Sequence, residues 1–203
     1  NRYSLSVDEN IASMLIDRFD FYNKKHIDFL VDYFKSKNYE KKNQIAYLNN
    51  KIINKMDIND YKQIKLLGLF DMLDDKILFS LLSDFNFDDK NALQNLFDII
   101  SKYNLTKKFE SFNLILNKLD LENQIDFELL KKIVLSADYI DGNIVDSLFS
   151  KLNFIDQNHL RLIRIVVNKK NSEIGTIDSL SKHININNQT HIMIIRDLIK
   201  NFF

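Results

Sequence analysis

Cysteine, proline and tryptophan are absent from this chain of 203 residues, and glycine occurs only at Gly68, Gly142 and Gly175. The lack of cysteine excludes disulfides, thiol nucleophiles and cysteine metal ligands together. Without proline, and with so little glycine, the chain lacks the turn material of sandwiches and barrels. Long helices joined by short polar turns need neither. Net charge is missing as well: 28 basic and 28 acidic residues cancel, which removes the general electrostatic footprint for nucleic acid or an acidic membrane surface. No apolar run approaches the ~20 residues that span a bilayer. No secretory signal opens the chain, and Asn1 is not an initiator methionine. That start fits a removed targeting segment or a piece of a longer protein, and an intracellular, soluble chain is expected.

What the chain does have is a nine-residue pattern that recurs six times. It reads LIDRFDFYN at 15–23, IINKMDIND at 52–60, LLSDFNFDD at 81–89, ILNKLDLEN at 115–123, LFSKLNFID at 148–156 and, less perfectly, LSKHININN at 180–188. Successive starts lie 37, 29, 34, 33 and 32 residues apart. Segments 80–104 and 147–171 align without a gap at an offset of 67, two such periods. A period of roughly 33 marks stacked helical hairpins, each burying its apolar face against its neighbours. The expected fold is therefore all-α: an α-solenoid of about six helix-turn-helix repeats in one domain, with units near 6–36, 40–73, 74–104, 107–138, 142–170 and 175–203.

Each copy is expected to close one helix and open the next. In the third, Leu81 and Leu82 end a helix, and Asp88 or Asp89 caps the following one. Apolar residues at i, i+3, i+4 and i+7 predict helix faces at Leu93, Leu96, Phe97 and Ile100; at Ile27, Leu30, Val31 and Phe34; at Leu66, Leu69, Phe70 and Leu73; and a similar one at Ile192, Ile195, Ile199 and Phe202. All are read as core, with Met14, Met56, Met72 and Met193 as gap fillers. Gly142 and Gly175, 33 apart, are read as inter-unit turns with positive φ. Ser6 with Glu9 reads as a capping box at the first helix.

No reaction chemistry stands out. Three isolated glycines supply no phosphate-binding loop or dinucleotide fingerprint, and no nucleophile elbow is present. His26, His159, His183 and His191 form no metal-ligand spacing and read as surface or partly packed residues. The acid pairs Asp74-Asp75 and Asp88-Asp89 fall at expected helix starts, where capping accounts for them. No enzyme activity, cofactor or metal is expected. Charge drifts along the chain, from an acidic stretch between Asp71 and Asp98 to a mildly basic one from Lys151 onward that includes Arg161 and Arg164.

Two first helices, ESFNLILNKL at 110–119 and IVDSLFSKL at 144–152, resemble helix A of a pentatricopeptide repeat, and ELLKKIV at 128–134 and LRLIRIV at 160–166 are similar to its helix B. The resemblance covers about residues 77–200. It implies a right-handed superhelix that binds single-stranded RNA, with one base read per repeat, in an organelle such as the mitochondrion. Carried over position by position, the base-reading place falls on Asn113, Asp146 and Asp178, then on Asn50 and Ser13, while the third unit has Phe79 there. Short polar side chains of this kind suit base edges. Phosphate neutralisation drives nucleic-acid affinity, however, and a chain of zero net charge lacks it. The favoured expectation is a non-catalytic scaffold that holds a protein or ribonucleoprotein partner within a larger assembly. The alternative is a single-stranded RNA-binding protein that uses the polar column, with Arg161 and Arg164 on the basic side. A partner-sensing arm of a larger protein is a third form.

Overall fold

The computed structural model describes residues 7–37, 46–70, 73–169 and 174–202. Over them the protein is all-helical. The α-helices are α1 (Val7–Arg18), α2 (Lys24–Ser36), α3 (Ala46–Lys55), α4 (Tyr61–Ile64), α5 (Asp75–Ser83), α6 (Lys90–Ile100), α7 (Phe109–Lys118), α8 (Gln124–Ser136), α9 (Gly142–Lys151), α10 (Gln157–Val167), α11 (Ile174–Ser181) and α12 (Gln189–Phe202). Short 3-10 segments cover Lys65–Leu69, Ser101–Tyr103 and Leu105–Lys107. Among the described residues no helix is long and apolar enough to cross a membrane.

The chain divides into two compact units, one of Asn1–Asp74 with Asp84–Tyr103, the other of Asp75–Ser83 with Asn104–Phe203. In the first, α1 packs on α3, while α2, α4 with its 3-10 extension, and α6 pack on one another. In the second, the odd-numbered helices form a row, α5 on α7 on α9 on α11, and the even-numbered ones another, α8 on α10 on α12. Helices one period apart are therefore neighbours in each unit. Side chains tie them at that spacing: Lys51 reaches Ser13 Oγ at 2.7 Å and Asp17 at 2.6 Å, and Ser111 Oγ meets Asp75 at 2.5 Å. Thr106 Oγ1 donates to the Tyr139 carbonyl at 2.7 Å, and the Asp141 amide returns to the Thr106 carbonyl.

The core follows the apolar spacing. Ile27, Leu30, Val31 and Phe34 are buried on α2, and Leu93, Leu96, Phe97 and Ile100 on α6. Fully burying a side chain of this size is worth about 1.5–3 kcal/mol. Leu66, Leu69, Phe70 and Leu73 are buried too, although α4 ends at Ile64 and the chain tightens into 3-10 form over Lys65–Leu69. The Tyr103 hydroxyl closes that segment by donating to the carbonyls of Leu67 and Phe70.

Four expectations are corrected. Gly142 is the first residue of α9, capped by Asp141, and no described glycine has positive φ; the left-handed position belongs to Asn104, at φ 50°. Asparagine tolerates that region because its short amide hydrogen-bonds locally. Met14 and Met193 are exposed rather than core. On α12, Ile192 and Ile199 are also exposed, since α12 packs on α10 with its opposite side. Finally, His159 and His191 are buried. Ser6 and Met72 lie outside the described residues.

Candidate functional site

The recurring pattern builds one turn six times. Its sixth residue accepts the backbone amide two places on: Asp20 from Tyr22, Asp57 from Asn59, Asn86 from Asp88, Asp120 from Glu122, Asn153 from Ile155 and Asn185 from Asn187, all at 2.9–3.1 Å. Its ninth residue caps the following helix, and Asn23, Asp60, Asp89, Asn123, Asp156 and Asn188 all accept from the amide two places on. Asp and Asn serve both roles because their side-chain oxygens reach nearby amides.

A third element lies beyond the pattern. The backbone amide of the sixth residue donates to a side chain six residues later, on the first turn of the next helix. The acceptors are His26 Nδ1 (3.1 Å), Gln63 Oε1 (2.8 Å), Asp126 Oδ2 (3.0 Å), His159 Nδ1 (2.8 Å) and His191 Nδ1 (2.9 Å). In the third turn that place is Ala92, and Asn59 Oδ1 of the preceding turn meets the Asn86 amide at 2.6 Å instead.

The histidines also join successive turns. A backbone amide can only donate, so Nδ1 of His159 and His191 must accept and Nε2 carries the proton. Nε2 of His191 donates to the Phe154 carbonyl at 2.7 Å, and Nε2 of His159 faces the Leu121 carbonyl at 3.3 Å. Both carbonyls belong to the seventh residue of the preceding turn. His159 stacks on Phe127 at 4.8 Å, and His183 stacks on Phe154 at the same distance. Tyr22 and Asn59 play the linking part earlier in the chain, reaching Asp57 at 3.4 Å and the Asp84 carbonyl at 2.8 Å. Three of the four histidines thus hold turns in place.

The polar column is carried by first helices. Asn50 is exposed on α3, Asn113 half-buried on α7, Asp146 exposed on α9 and Asp178 exposed on α11. Since α7, α9 and α11 pack in sequence, the last three share equivalent places on adjacent helices. Lys182 stands 3.6 Å from Asp146, an exposed pair of small energetic weight. Ser13, on α1, is half-buried and bonded to Lys51, and Phe79, on α5, is partly exposed. The two arginines part company. Arg161 is exposed on α10, whereas Arg164 makes a two-nitrogen contact with Asp197 of α12, Nε at 2.9 Å and Nη2 at 2.8 Å.

Electrostatics elsewhere follow from short contacts. The Asp156 carboxyl lies below the usual carboxylate range because the His159 amide donates to it, with that of Asn158 adding to the effect. The Lys65 ammonium, bonded to Asp28, lowers that carboxyl likewise. Lys51 is raised above the ordinary lysine range, first by its bond to Asp17. Lys55 Nζ caps the carboxyl end of α1, reaching the carbonyls of Ile16 and Asp17 at 2.5 and 3.1 Å. Lys169 does the same for the Leu135 and Ala137 carbonyls. A shallow cleft of about 280 Å³ in the first unit is lined by Lys24, Tyr61, Lys62, Lys65, Asn95 and Asp98, among others. Among the described residues no three His, Asp or Glu side chains come together as metal ligands would.

No family model matches the chain, and no curated protein or solved structure matches it at a significant level.

Proposed function

We propose that the chain is a non-catalytic helical-repeat scaffold, an α-solenoid of about six stacked hairpins, holding a protein or ribonucleoprotein partner within a larger assembly. The observation that carries this reading is the column Asn113, Asp146 and Asp178, at equivalent places on three first helices packed side by side, with each side chain open to solvent at least in part. A column of short polar groups on rigid helices presents hydrogen-bonding sites at regular intervals without conformational cost. With two carboxylates in three, it favours a partner bearing basic or amide groups, since like charges repel phosphates.

The alternative, single-stranded RNA read along the same column, draws on the pentatricopeptide resemblance and on Asn113, which suits a base edge. Arg164 is committed to Asp197, so Arg161 is left with the phosphates on α10. That is a thin supply of positive charge for RNA.

The test is capture of partners from native lysate by the wild type and by the D146K/D178K double variant, each with and without ribonuclease. Protein partners that survive ribonuclease and are lost with the double variant support the scaffold through this column. Enriched RNA, with partners lost on ribonuclease treatment, supports the alternative. Capture unchanged by the charge reversal overturns the column as the binding face. Both variant positions are exposed, so folding is expected to stay intact.

A further inference from the structure

The sixth turn is fastened to the fifth by a ring whose bonds require it to be uncharged. His191 is 4% exposed. Its Nδ1 accepts the Asn185 amide at 2.9 Å, and its Nε2 donates to the Phe154 carbonyl at 2.7 Å. Both bonds need the neutral tautomer with its proton on Nε2. A protonated imidazole carries N–H at both nitrogens, which removes the acceptor and sets one N–H against that of Asn185. Burial works in the same direction, because a charge out of water is costly unless it is paired.

Among the described residues no carboxylate pairs with this ring. From Leu180 to Thr190 the chain has no acid, only Lys182 and His183, and the residue that caps α12 is Asn188. In the preceding turn the Asp156 carboxylate is taken up by the amides of Asn158 and His159. Asp197 of α12 is paired with Arg164 of α10. The other charges on these two helices, Arg161, Arg196 and Lys200, are positive and exposed. His183 stacks on the Phe154 ring at 4.8 Å, and His191 meets the same ring edge-on at 6.0 Å. Acid therefore places two like charges against one aromatic ring, and like charges disfavour each other. His159 is placed differently: Asp156 caps its helix, and Glu122 lines the same small cavity, so carboxylates stand close enough to compensate it.

We propose that the joint between the fifth and sixth turns is a latch opened by acid: protonation of His191 breaks its bond to the Asn185 amide and loosens the sixth turn from the fifth. Imidazole suits this part because its charge ordinarily changes between about pH 5 and 8. The sign follows from the tautomer. The ring holds both turns while it is neutral, and that hold is lost as pH falls and the second proton binds. Joints built on an acceptor that does not titrate, such as Gln63 with the Asp57 amide, stay closed over the same range. The latch depends on the joint alone, and not on what the polar column holds.

Amide hydrogen exchange of the full chain, followed by NMR at about pH 7.5 and about pH 5.0, tests it. Protection of the Asn185 amide, taken relative to its intrinsic rate at each pH, is expected to fall about tenfold on acidification. Protection of the Asp57 amide, bonded to Gln63 Oε1 at 2.8 Å, should hold. In His191→Gln a carboxamide can receive the Asn185 amide without titrating, so the difference between the two pH values should disappear. A thermal melt at the higher pH checks that this variant folds, and the wild-type comparison of Asn185 with Asp57 decides the matter without it. Unchanged protection at Asn185 overturns the latch. An equal fall at Asp57 overturns it too, since acid would then be loosening the whole protein, and so does a pH difference that persists in folded His191→Gln.

Discussion

The imidazole of His191 is held at both nitrogens: the Asn185 amide donates to Nδ1 at 2.9 Å, and Nε2 donates to the Phe154 carbonyl at 2.7 Å. The ring therefore ties its own turn to the one before it. His159 does the same between Asn153 and Leu121. Each ring thus bridges two successive turns of the second unit.

Truncating the His191 ring leaves the Asn185 amide and the buried Phe154 carbonyl without this partner. His191→Ala is expected to lower stability by about 2–4 kcal/mol, because each unmet buried group costs about 1–3. His159→Gln should cost less than His159→Ala, since Gln63 already fills this place in the second turn with its Oε1 at 2.8 Å. Urea denaturation of the three variants checks the ranking, and equal losses for Gln and Ala would remove the Nδ1 acceptor from the account.

Leu96, Phe97 and Ile133 are all buried. Replacing any of them by alanine is expected to cost about 2–5 kcal/mol, and a polar residue more. A calorimetric melt of Leu96→Ala that matches wild type would contradict the packing of α6.

Acid should weaken the fifth cap. The folded-state pKa of Asp156 is depressed, so its contribution is complete above the unfolded value of about 3.9 and fades as pH falls through the folded value. Asp156→Asn keeps a capping oxygen but loses that titration. Denaturation midpoints followed from about pH 6 to about pH 2 should fall less steeply for this variant than for wild type. Parallel acid limbs would show that the carboxylate does not contribute.

Gly68 sits in the 3-10 segment without positive φ, and a Cβ built there meets nothing within 4 Å. Gly68→Ala is therefore expected to stabilise the protein by about 0.4–1 kcal/mol, by restricting the unfolded chain. A lower melting temperature would reveal a backbone requirement at this glycine.

Much of the fold is legible in the residues. The Asn and Asp of the pattern announce both the turn and the cap because few side chains reach backbone amides so locally, and the apolar spacing on α2 and α6 gives those cores. The imidazole links escape such a reading, since the acceptor changes between His, Gln and Asp and lies three residues past the cap. Its signal is a hydrogen-bonding side chain six places after five of the six turn residues, as in Asp20 with His26 or Asn153 with His159. Pairing of Arg164 with Asp197 becomes evident only once α10 and α12 are known to touch. The stripe on α12 has the spacing of a core face, yet exposure depends on whether another helix lies over it, which no local spacing encodes.

The alternation of acceptors has a further consequence. Imidazole, carboxamide and carboxylate all receive the same amide at the same place, and where Ala92 stands a neighbouring turn supplies the oxygen. A joint that tolerates so many parts lets the letters of a lineage drift while its geometry stays put. Kinship among chains built this way is better sought in the intervals between turn residues than in residue identity.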